Sequence, residues 1–285
     1  MLPPLPGRIF THQQAHAAGF TMRQLTDEVR AGNLYRPRRG FYAVPDAPAD
    51  LVRAVRVGGS ATGPTALRTL GVWTAPDDRL HVRLPPHAGR RHHPDHPGRE
   101  LPTSAAVCLH WTSRLSEEPT PLTFTPCEPL LTALEHALDC WPAEFAIAAI
   151  DSALHLDLLS PSALRRLRRE VAPRHRAVLN EVDGRAESGT ESITRVRLRR
   201  SGLHVEPLVR FRRVGKVDLV VEGRLVVEVD GREFHTTEDR FEEDRRRDAQ
   251  LAALGYRVLR CSYRQVLYDW PSVERAIRAA LADAA

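Results

Sequence analysis

The chain of 285 residues has almost no lysine. Lys216 is the only one, so arginine carries nearly all of the positive charge behind a formal net charge of +5. Arginine makes forked contacts with phosphate groups, and an anionic partner such as nucleic acid fits this charge. A general bias of the composition towards Ala, Arg and Pro would produce the same excess, so both interpretations stay open.

Cysteine is also scarce. The four cysteines are widely spaced and contain no C-x-x-C pair: Cys108, Cys127, Cys140 and Cys261. This spacing argues against a zinc finger and against a disulfide framework. We expect buried or half-buried thiols.

Long apolar runs are absent. No run approaches the ~20 residues that a membrane span requires, and residues 1–6 lack the basic region and long apolar segment of a signal peptide. The content of 42% hydrophobic and 27% charged residues is typical of a globular protein. We expect a cytoplasmic protein without membrane contact, of two or three domains.

Two short apolar runs, 217–221 and 225–230, are joined only by Glu222-Gly223-Arg224. They predict a β-hairpin, and the three-residue loop places Asp218 opposite Glu228. Two carboxylates with Cβ atoms ~5 Å apart, flanked by Val and Leu, repel each other and are costly to desolvate without a cation. A divalent metal site explains them; a solvated face is the alternative. The unbroken apolar run before Glu228 favours a buried strand, and hence the metal.

The N-terminal segment predicts two helices followed by a small hairpin. Thr11 and Thr21 are suitable caps for helices that end near Gly19 and Gly32. Two short strands, at 34–36 and 41–44, then flank the turn Pro37-Arg38-Arg39-Gly40. This order is typical of a winged helix-turn-helix.

In a DNA-binding interpretation, the second helix would present Arg23 and Gln24 to base edges or phosphates, and Arg38 and Arg39 would contact the DNA backbone. The alternative is a protein-contact module of the same fold, because Asp27 and Glu28 lie on the same helix and repel phosphate.

The rest of the chain predicts a mixed middle region and an α/β third part. Helices are expected near 65–70, 129–138, 143–154 and 160–171, and a strand at 80–84. The histidine-rich stretch 88–97 is interrupted by proline and predicts a solvated basic loop rather than a metal site. From residue 187 the order is helix, carboxylate hairpin, charged helix, strand and helix, which predicts a sandwich around a mixed sheet. The expected domains are 1–45, 46–180 and 181–285.

The third part resembles the PD-(D/E)XK nuclease superfamily, in the branch similar to very-short-patch-repair endonucleases. The resemblance covers roughly 187–281 and is carried by Glu191, Asp218, Glu228, Asp230, His235, the helix from Phe241 to Asp248 and the segment 254–260. It implies a restriction-endonuclease-like fold and metal-dependent cleavage of DNA. Asp218, Glu228 and the Val229 carbonyl would hold Mg²⁺ or Mn²⁺, and Glu191 would orient the ligands of the metal or a second ion.

The family pattern has a lysine two places after the glutamate, where this chain has Asp230. Lys216, which the hairpin register places opposite Asp230, and His235 are the two candidates for the missing role. On the charged helix, Glu242 and Glu243 can pair with arginines one turn later, which favours a solvated face. The alternative concerns Asp244 and Asp248, which share a stripe with Phe241 and Leu251 and are expected to meet partners such as arginines or the edge of the active site. Arg247 is a candidate contact with phosphate or with the scaffold.

The N-terminal segment resembles the winged-helix domain of AbiEi-type antitoxins, through the residues 11–19 and 35–42. That family represses its own promoter and counters a toxin, so the resemblance implies DNA and a cognate toxin as partners. Two functions follow. One is a DNA endonuclease whose winged helix binds DNA, and the other is a non-catalytic DNA-binding regulator or antitoxin that keeps the nuclease fold as a scaffold.

Overall fold

The protein, described here by a computed structural model, is defined over residues 2–212, 214–230 and 238–282, with the backbone alone over 238–244. Contacts within the chain group it into two compact units. The N-terminal unit comprises Met1–Val72, Pro76–Cys140 and Ala163–Ala172. The C-terminal unit comprises Trp73–Ala75, Trp141–Ser162 and Pro173–Ala285. Among the described residues, no helix combines the length and the hydropathy of a membrane span.

The N-terminal unit contains two small sheets and several short helices. Its elements are β1 (Ile9–Thr11), α1 (His12–Ala17), α2 (Met22–Arg30), β2 (Phe41–Ala43), α3 (Ala49–Val57), β3 (Ser60–Ala61), α4 (Gly63–Thr69), β4 (Leu80–Arg83), β5 (Val107–His110) and α5 (Leu130–Cys140). Strands β1 and β2 pair antiparallel. In the second sheet β3 pairs antiparallel with β4, and β4 pairs parallel with β5. Helix α7 (Pro161–Glu170) has residues in both units.

The two predicted helix caps are confirmed. Thr11 and Thr21 each accept a hydrogen bond from the backbone N–H three residues later, and Gln14 and Gln24 return the contact, which forms two capping boxes. The predicted pairing of β2 with residues 34–36 is confirmed only in part, and the main partner of β2 was missing from the prediction. Strand β2 pairs with β1, whereas Tyr35 makes only an isolated bridge to Ala43. The reason is burial: β1 is buried at all three positions, and its pairing with β2 closes the small core.

The C-terminal unit is built on one four-stranded mixed sheet. Its elements are α6 (Ala143–His155), α8 (Pro173–Leu179), α9 (Gly189–Arg200), β6 (Val205–Phe211), β7 (Gly215–Val221), β8 (Leu225–Asp230), α10 (Glu238–Ala253), β9 (Arg257–Ser262), α11 (Tyr263–Tyr268) and α12 (Trp270–Ala282). The strand order is β6-β7-β8-β9, antiparallel except for the parallel pair β8 and β9. The hairpin and the mixed sheet are confirmed, whereas β6 was missing from the expected order.

Helices cover both faces of this sheet. On one face, Ile193 of α9 and Ile277 of α12 pack with Leu219 and Val227 in the main core. On the other face, Leu251 of α10 packs with a second cluster that contains Val220 and Val226. The predicted α/β class and the sandwich around a mixed sheet are therefore confirmed.

Gly189, the first residue of helix α9, has no room for a side chain. A Cβ atom there would overlap the indole ring of Trp73. We expect Gly189→Ala to lower the free energy of unfolding by roughly 1–3 kcal/mol, the usual cost of overpacking. Urea unfolding would measure it against Gly89→Ala, where a Cβ would meet nothing within 4 Å. Equal stability of the two variants would contradict the prediction.

Candidate functional site

Asp218 lies where the side-chain alternation of β7 reverses. Leu219 and Val221 pack in the main core, but Val217 packs in the cluster on the opposite face. In a regular strand, alternate residues share one face. The cross-strand position on β6 is Leu208, whose φ of 53° lies in the left-handed region that bulky residues rarely adopt. An irregular backbone therefore sets the direction of the Asp218 side chain.

The hairpin brings Asp218 next to strand β8. The ladder pairs Leu219 with Val227, and its continuation places Asp218 opposite Glu228, as the loop length predicts. At this point a side chain replaces the backbone ladder, because the Val229 N–H donates a hydrogen bond of 2.8 Å to Asp218 Oδ2. The two strands thus separate around the carboxylate.

Glu191 lies in the first turn of α9, which begins after the cap Ser188. Its carboxylate is nearly buried, with 6% of the residue exposed, and accepts a 2.9 Å hydrogen bond from the Glu187 N–H. Burial raises its pKa and the charge of Glu187 acts in the same direction, against the hydrogen bonds from Ser188 and Glu187. No ion pair to Glu191 is found among the side chains that the structure describes, and a buried acid of this kind is a candidate site residue.

Glu191, Asp218 and Glu228, called here the acidic triad, act on one another electrostatically. Burial raises the pKa of Asp218 and the negative charges of Glu191 and Glu228 raise it as well, whereas the Val229 N–H and the charge of Arg247 lower it; together they leave this pKa at about 7. Carboxylates that share a dry site cannot all ionise without a cation. At neutral pH the triad is therefore a site that gains from a bound positive charge.

Two arginines already supply part of that charge at Glu228. Arg247 of α10 lies 2.8 Å from Glu228 Oε1, and Arg260 of β9 lies 3.2 Å from Oε2. Arg260 is also paired with Asp248, at 2.6 Å. Its hydrogen bonds lower the pKa of Asp248. Arg260 is the partner of Glu228 in the parallel pairing of β8 with β9. This contact could not be predicted from the sequence.

The carboxylate oxygens of the acidic triad are not as close together as the ligand atoms of a compact metal site. Within the described part of the chain, three or more His, Cys, Asp or Glu ligand atoms lie within 4.8 Å of one another only at a different cluster, in the N-terminal unit. The triad nevertheless suits a hard divalent cation, because all of its donors are carboxylate oxygens. One of these oxygens, Glu228 Oε1, is buried and receives no hydrogen bond even though it faces Arg247.

The other predicted residues of this region are placed less centrally. Lys216 is half exposed, and its ammonium group forms an ion pair with Glu187, whose backbone binds Glu191. Asp230 is half buried at the end of β8, and His235 lies outside the described residues. Arg247 donates to the Lys216 carbonyl in addition to its contact with Glu228, so its scaffold contact is observed. The chemical roles of Lys216, Asp230 and His235 stay predictions.

In the N-terminal unit, two of the predicted DNA contacts are engaged inside the protein. The Gln24 side chain completes the capping box of Thr21. The Arg38 guanidinium donates to the carbonyls of Arg56, Val57 and Arg90. Both groups therefore hold local structure: the Gln24 amide oxygen is engaged as an acceptor, and the Arg38 guanidinium has fewer donors left for a ligand.

An open cavity of about 960 Å³ lies beside this segment. Its lining is strongly basic and includes Arg36, Arg39 and Arg90 with His12 and His92. Arg23 and Arg39 are exposed. Three of these lining groups are arginine side chains, whose planar guanidinium suits phosphate. The cavity adds Arg36 and Arg90 to the candidate contacts with an anion, and sequence reasoning did not select either of them.

The titration of Asp218 makes stability depend on pH in a defined direction. Because its pKa rises from 3.8 to about 7, the folded chain holds a proton that the unfolded chain has lost. The stability that the folded chain gains from this proton is fully present below pH 3.8 and is lost as the pH rises through about 7. In EDTA, we expect Asp218→Asn to match the wild type at pH 4 and to be more stable at pH 8 by up to a few kcal/mol. Urea unfolding at both pH values measures the difference, and a difference that is the same at both would contradict it.

Comparison with known proteins finds a family match in the C-terminal part of the chain. A model of the restriction-endonuclease-like family REase_MTES_1575 matches residues 191–281, which hold the acidic triad, the sheet from β6 to β9 and helices α9 to α12. No curated protein matches the chain. The match and the mixed sheet agree: residues 191–281 form a restriction-endonuclease-like, nuclease-type domain.

Proposed function

We propose that the protein is a divalent-metal-dependent DNA endonuclease. The observation that carries this proposal is the acidic triad: three buried or half-buried carboxylates from α9, β7 and β8, with the pKa of Asp218 raised to about 7. Structural acids in a core have cationic partners, whereas the carboxylates of Asp218 and Glu191 repel each other. Such a cluster is favourable only when a cation is bound, and the restriction-endonuclease-like match supports a nuclease.

Asp218, Glu228 and the Val229 carbonyl are the ligands that we propose for Mg²⁺ or Mn²⁺. A bound divalent ion lowers the pKa of water and stabilises the charge of the phosphate during hydrolysis. The protein contributes the fixed direction of Asp218, which the Val229 N–H holds, and the dry surroundings of Glu191. Arg247 and Arg260 lie at the same carboxylate, and we propose that Arg247 contacts the phosphate of the substrate.

Lys216 and His235 are alternative groups for accepting or delivering the proton. Lys216 is held near the site by Glu187. We expect Lys216→Met and His235→Gln to differ in the pH profile of cleavage, because a histidine titrates near pH 6.5 and a lysine well above it. If the fall in cleavage rate at acidic pH disappears in His235→Gln alone, the proton-transfer role belongs to His235. A pH profile that is unchanged in both variants would exclude both residues from that role.

DNA is the proposed partner of the N-terminal unit as well. A winged helix-turn-helix made of α1, α2 and the β1–β2 pair would approach DNA with Arg23 and the exposed Arg39. The basic cavity beside it supports contacts with the phosphate backbone. This proposal gives the chain a cytoplasmic DNA-binding segment together with a nuclease.

The test is cleavage of a plasmid and of a mismatched duplex by the full chain in Mg²⁺, in Mn²⁺ and in EDTA. DNA binding is measured in the same samples by fluorescence anisotropy. Cleavage in either metal, abolished by EDTA, supports the endonuclease. Binding without cleavage in every metal would overturn it, and the mismatched duplex tests the resemblance to very-short-patch-repair enzymes.

A second candidate is a non-catalytic DNA-binding regulator, including an antitoxin with a cognate toxin. The observation that favours it is the occupation of Glu228 by Arg247 and Arg260, together with Asp230 where the family has lysine. In this case the arginines stabilise a site that no longer binds metal. Binding of the promoter DNA of its own gene, without cleavage, is the expected result.

A further inference from the structure

A second cluster of metal-binding side chains lies in the N-terminal unit. It is formed by His81 of β4 and by Cys108 and His110 of β5, whose ligand atoms all lie within 4.8 Å of one another. The parallel pairing places His81 beside Cys108, and His110 follows two residues later on the same face of the strand. The end of helix α5 brings a fourth residue, Cys140, with its Sγ 3.6 Å from His81 Nδ1.

Two distances in this cluster, both measured from His81 Nδ1, match those of a tetrahedral zinc site. For Zn–N bonds of about 2.0–2.1 Å and Zn–S bonds of about 2.3 Å, two nitrogen ligands lie about 3.4 Å apart and a nitrogen and a sulfur about 3.6 Å apart. The observed separations are 3.2 Å between His81 Nδ1 and His110 Nε2, and 3.6 Å between His81 Nδ1 and Cys140 Sγ. Two thiols and two imidazoles are the donor set that selects zinc among the common divalent ions.

The surrounding hydrogen bonds orient the donors. The carboxylate of Asp77 lies 3.1 Å from His81 Nε2, so that nitrogen carries the proton and Nδ1 presents its lone pair to the cluster. Histidine ligands of metals commonly donate their other nitrogen to a carboxylate in this way. His136 stacks on His110 at 4.5 Å, but both of its nitrogens are engaged, with Thr62 and with the Thr112 carbonyl. It therefore supports the cluster without being a ligand.

We propose that His81, Cys108, His110 and Cys140 bind one Zn²⁺ ion that stabilises the N-terminal unit. On binding, each thiol loses its proton to the solvent and the sulfur becomes a thiolate ligand. Four protein ligands close the coordination shell, which is the arrangement of a structural zinc and leaves no position for substrate. The ion joins β4, β5 and the end of α5, which are far apart along the chain. It is separate from the acidic triad and does not depend on the nuclease proposal.

The experiment measures metal in the purified, untagged full chain by mass spectrometry. We expect about one zinc per chain in the wild type, and the same content in Cys127→Ser, which alters a half-buried thiol of the same unit outside the cluster. Cys108→Ser and His110→Asn should each lose most of it. Asp218→Asn should keep it, which separates this site from the acidic triad. Variants with undiminished zinc would overturn the proposal.

A second measurement is independent of whether the variants fold. The wild type is freed of metal with a chelator and titrated with Co²⁺, whose tetrahedral thiolate complexes absorb strongly in the near-ultraviolet and visible range. We expect these bands to saturate at one equivalent and to disappear when Zn²⁺ is added, with a rise in Tm on metal binding. A wild type that contains no zinc and gives no such bands would show that the cluster is held together by hydrogen bonds alone.

Discussion

Asp218→Asn is expected to abolish metal-dependent cleavage while the chain still binds DNA. The amide keeps the shape of the carboxyl group but removes the negative charge that we propose as a ligand of the ion. A bound divalent ion supplies several kcal/mol to the transition state, and such a loss corresponds to at least about a hundredfold in rate. The measurement is the initial rate of plasmid cleavage at saturating Mg²⁺, next to DNA affinity by anisotropy.

The matched control is Glu206→Gln on β6. Glu206 is an exposed acid on the neighbouring strand that pairs with His204, and it lies outside the acidic triad. We expect it to cleave as the wild type does. The same pair of variants separates folding from catalysis, because Mg²⁺ should raise the Tm of the wild type and of Glu206→Gln at pH 8 but not that of Asp218→Asn. Equal cleavage by Asp218→Asn and the wild type would remove Asp218 from the site.

Arg195→Met is expected to cause the largest loss of stability. Arg195 and Asp151 form an ion pair of 2.7 Å in which both side chains are 0% exposed. Arg195 also donates to the Glu181 carbonyl, and Asp151 accepts from the Asp183 N–H. Burial raises the pKa of Asp151 to about 6, against the opposing charge of Arg195. Removing one partner strands a buried charge and costs roughly 3–5 kcal/mol.

Urea unfolding of Arg195→Met, Asp151→Leu and the double variant measures this effect. The double variant should lose less than Arg195→Met, because no unpaired charge stays buried. Arg278→Met is the control: Arg278 pairs with Glu274 at an exposed i,i+4 spacing, and such pairs contribute about 0.3–0.5 kcal/mol. An Arg195→Met protein within 1 kcal/mol of the control would contradict the prediction. Because Glu191 lies one turn before Arg195 on α9, cleavage by Arg195→Met should also fall.

Local patterns made several parts of the structure predictable. A capping box needs only residues three apart, so Thr11 and Thr21 could be recognised directly. The carboxylate hairpin depends on two apolar runs and a three-residue loop, and its observed register follows that loop. These are short-range features in which the neighbours in the chain are also the neighbours in space. Glu191 is different, because only its resemblance to the nuclease pattern selected it.

Other contacts were out of reach because their partners are far apart in sequence. Arg260 meets Glu228 only once β9 is placed parallel to β8, and the reversal of β7 at Asp218 depends on the conformation of Leu208. The cysteines are buried or half-buried as expected, but their wide spacing in the sequence did not indicate that Cys108 and Cys140 lie close to His81. The spacing of Cys108 and His110, two residues apart on a strand, was the local feature of the sequence that indicated this cluster.

The amino-acid sequence by itself determined the β-hairpin with its acidic pair, the capped helices and the nuclease-like pattern of the C-terminal region. The tertiary structure decided which charges neutralise the acids, which arginines serve the scaffold, and which thiols meet imidazoles. The physical reason is range. Caps and turns are set by hydrogen bonds between near neighbours in the chain, whereas burial, ion pairing and metal coordination depend on strands that only folding brings together.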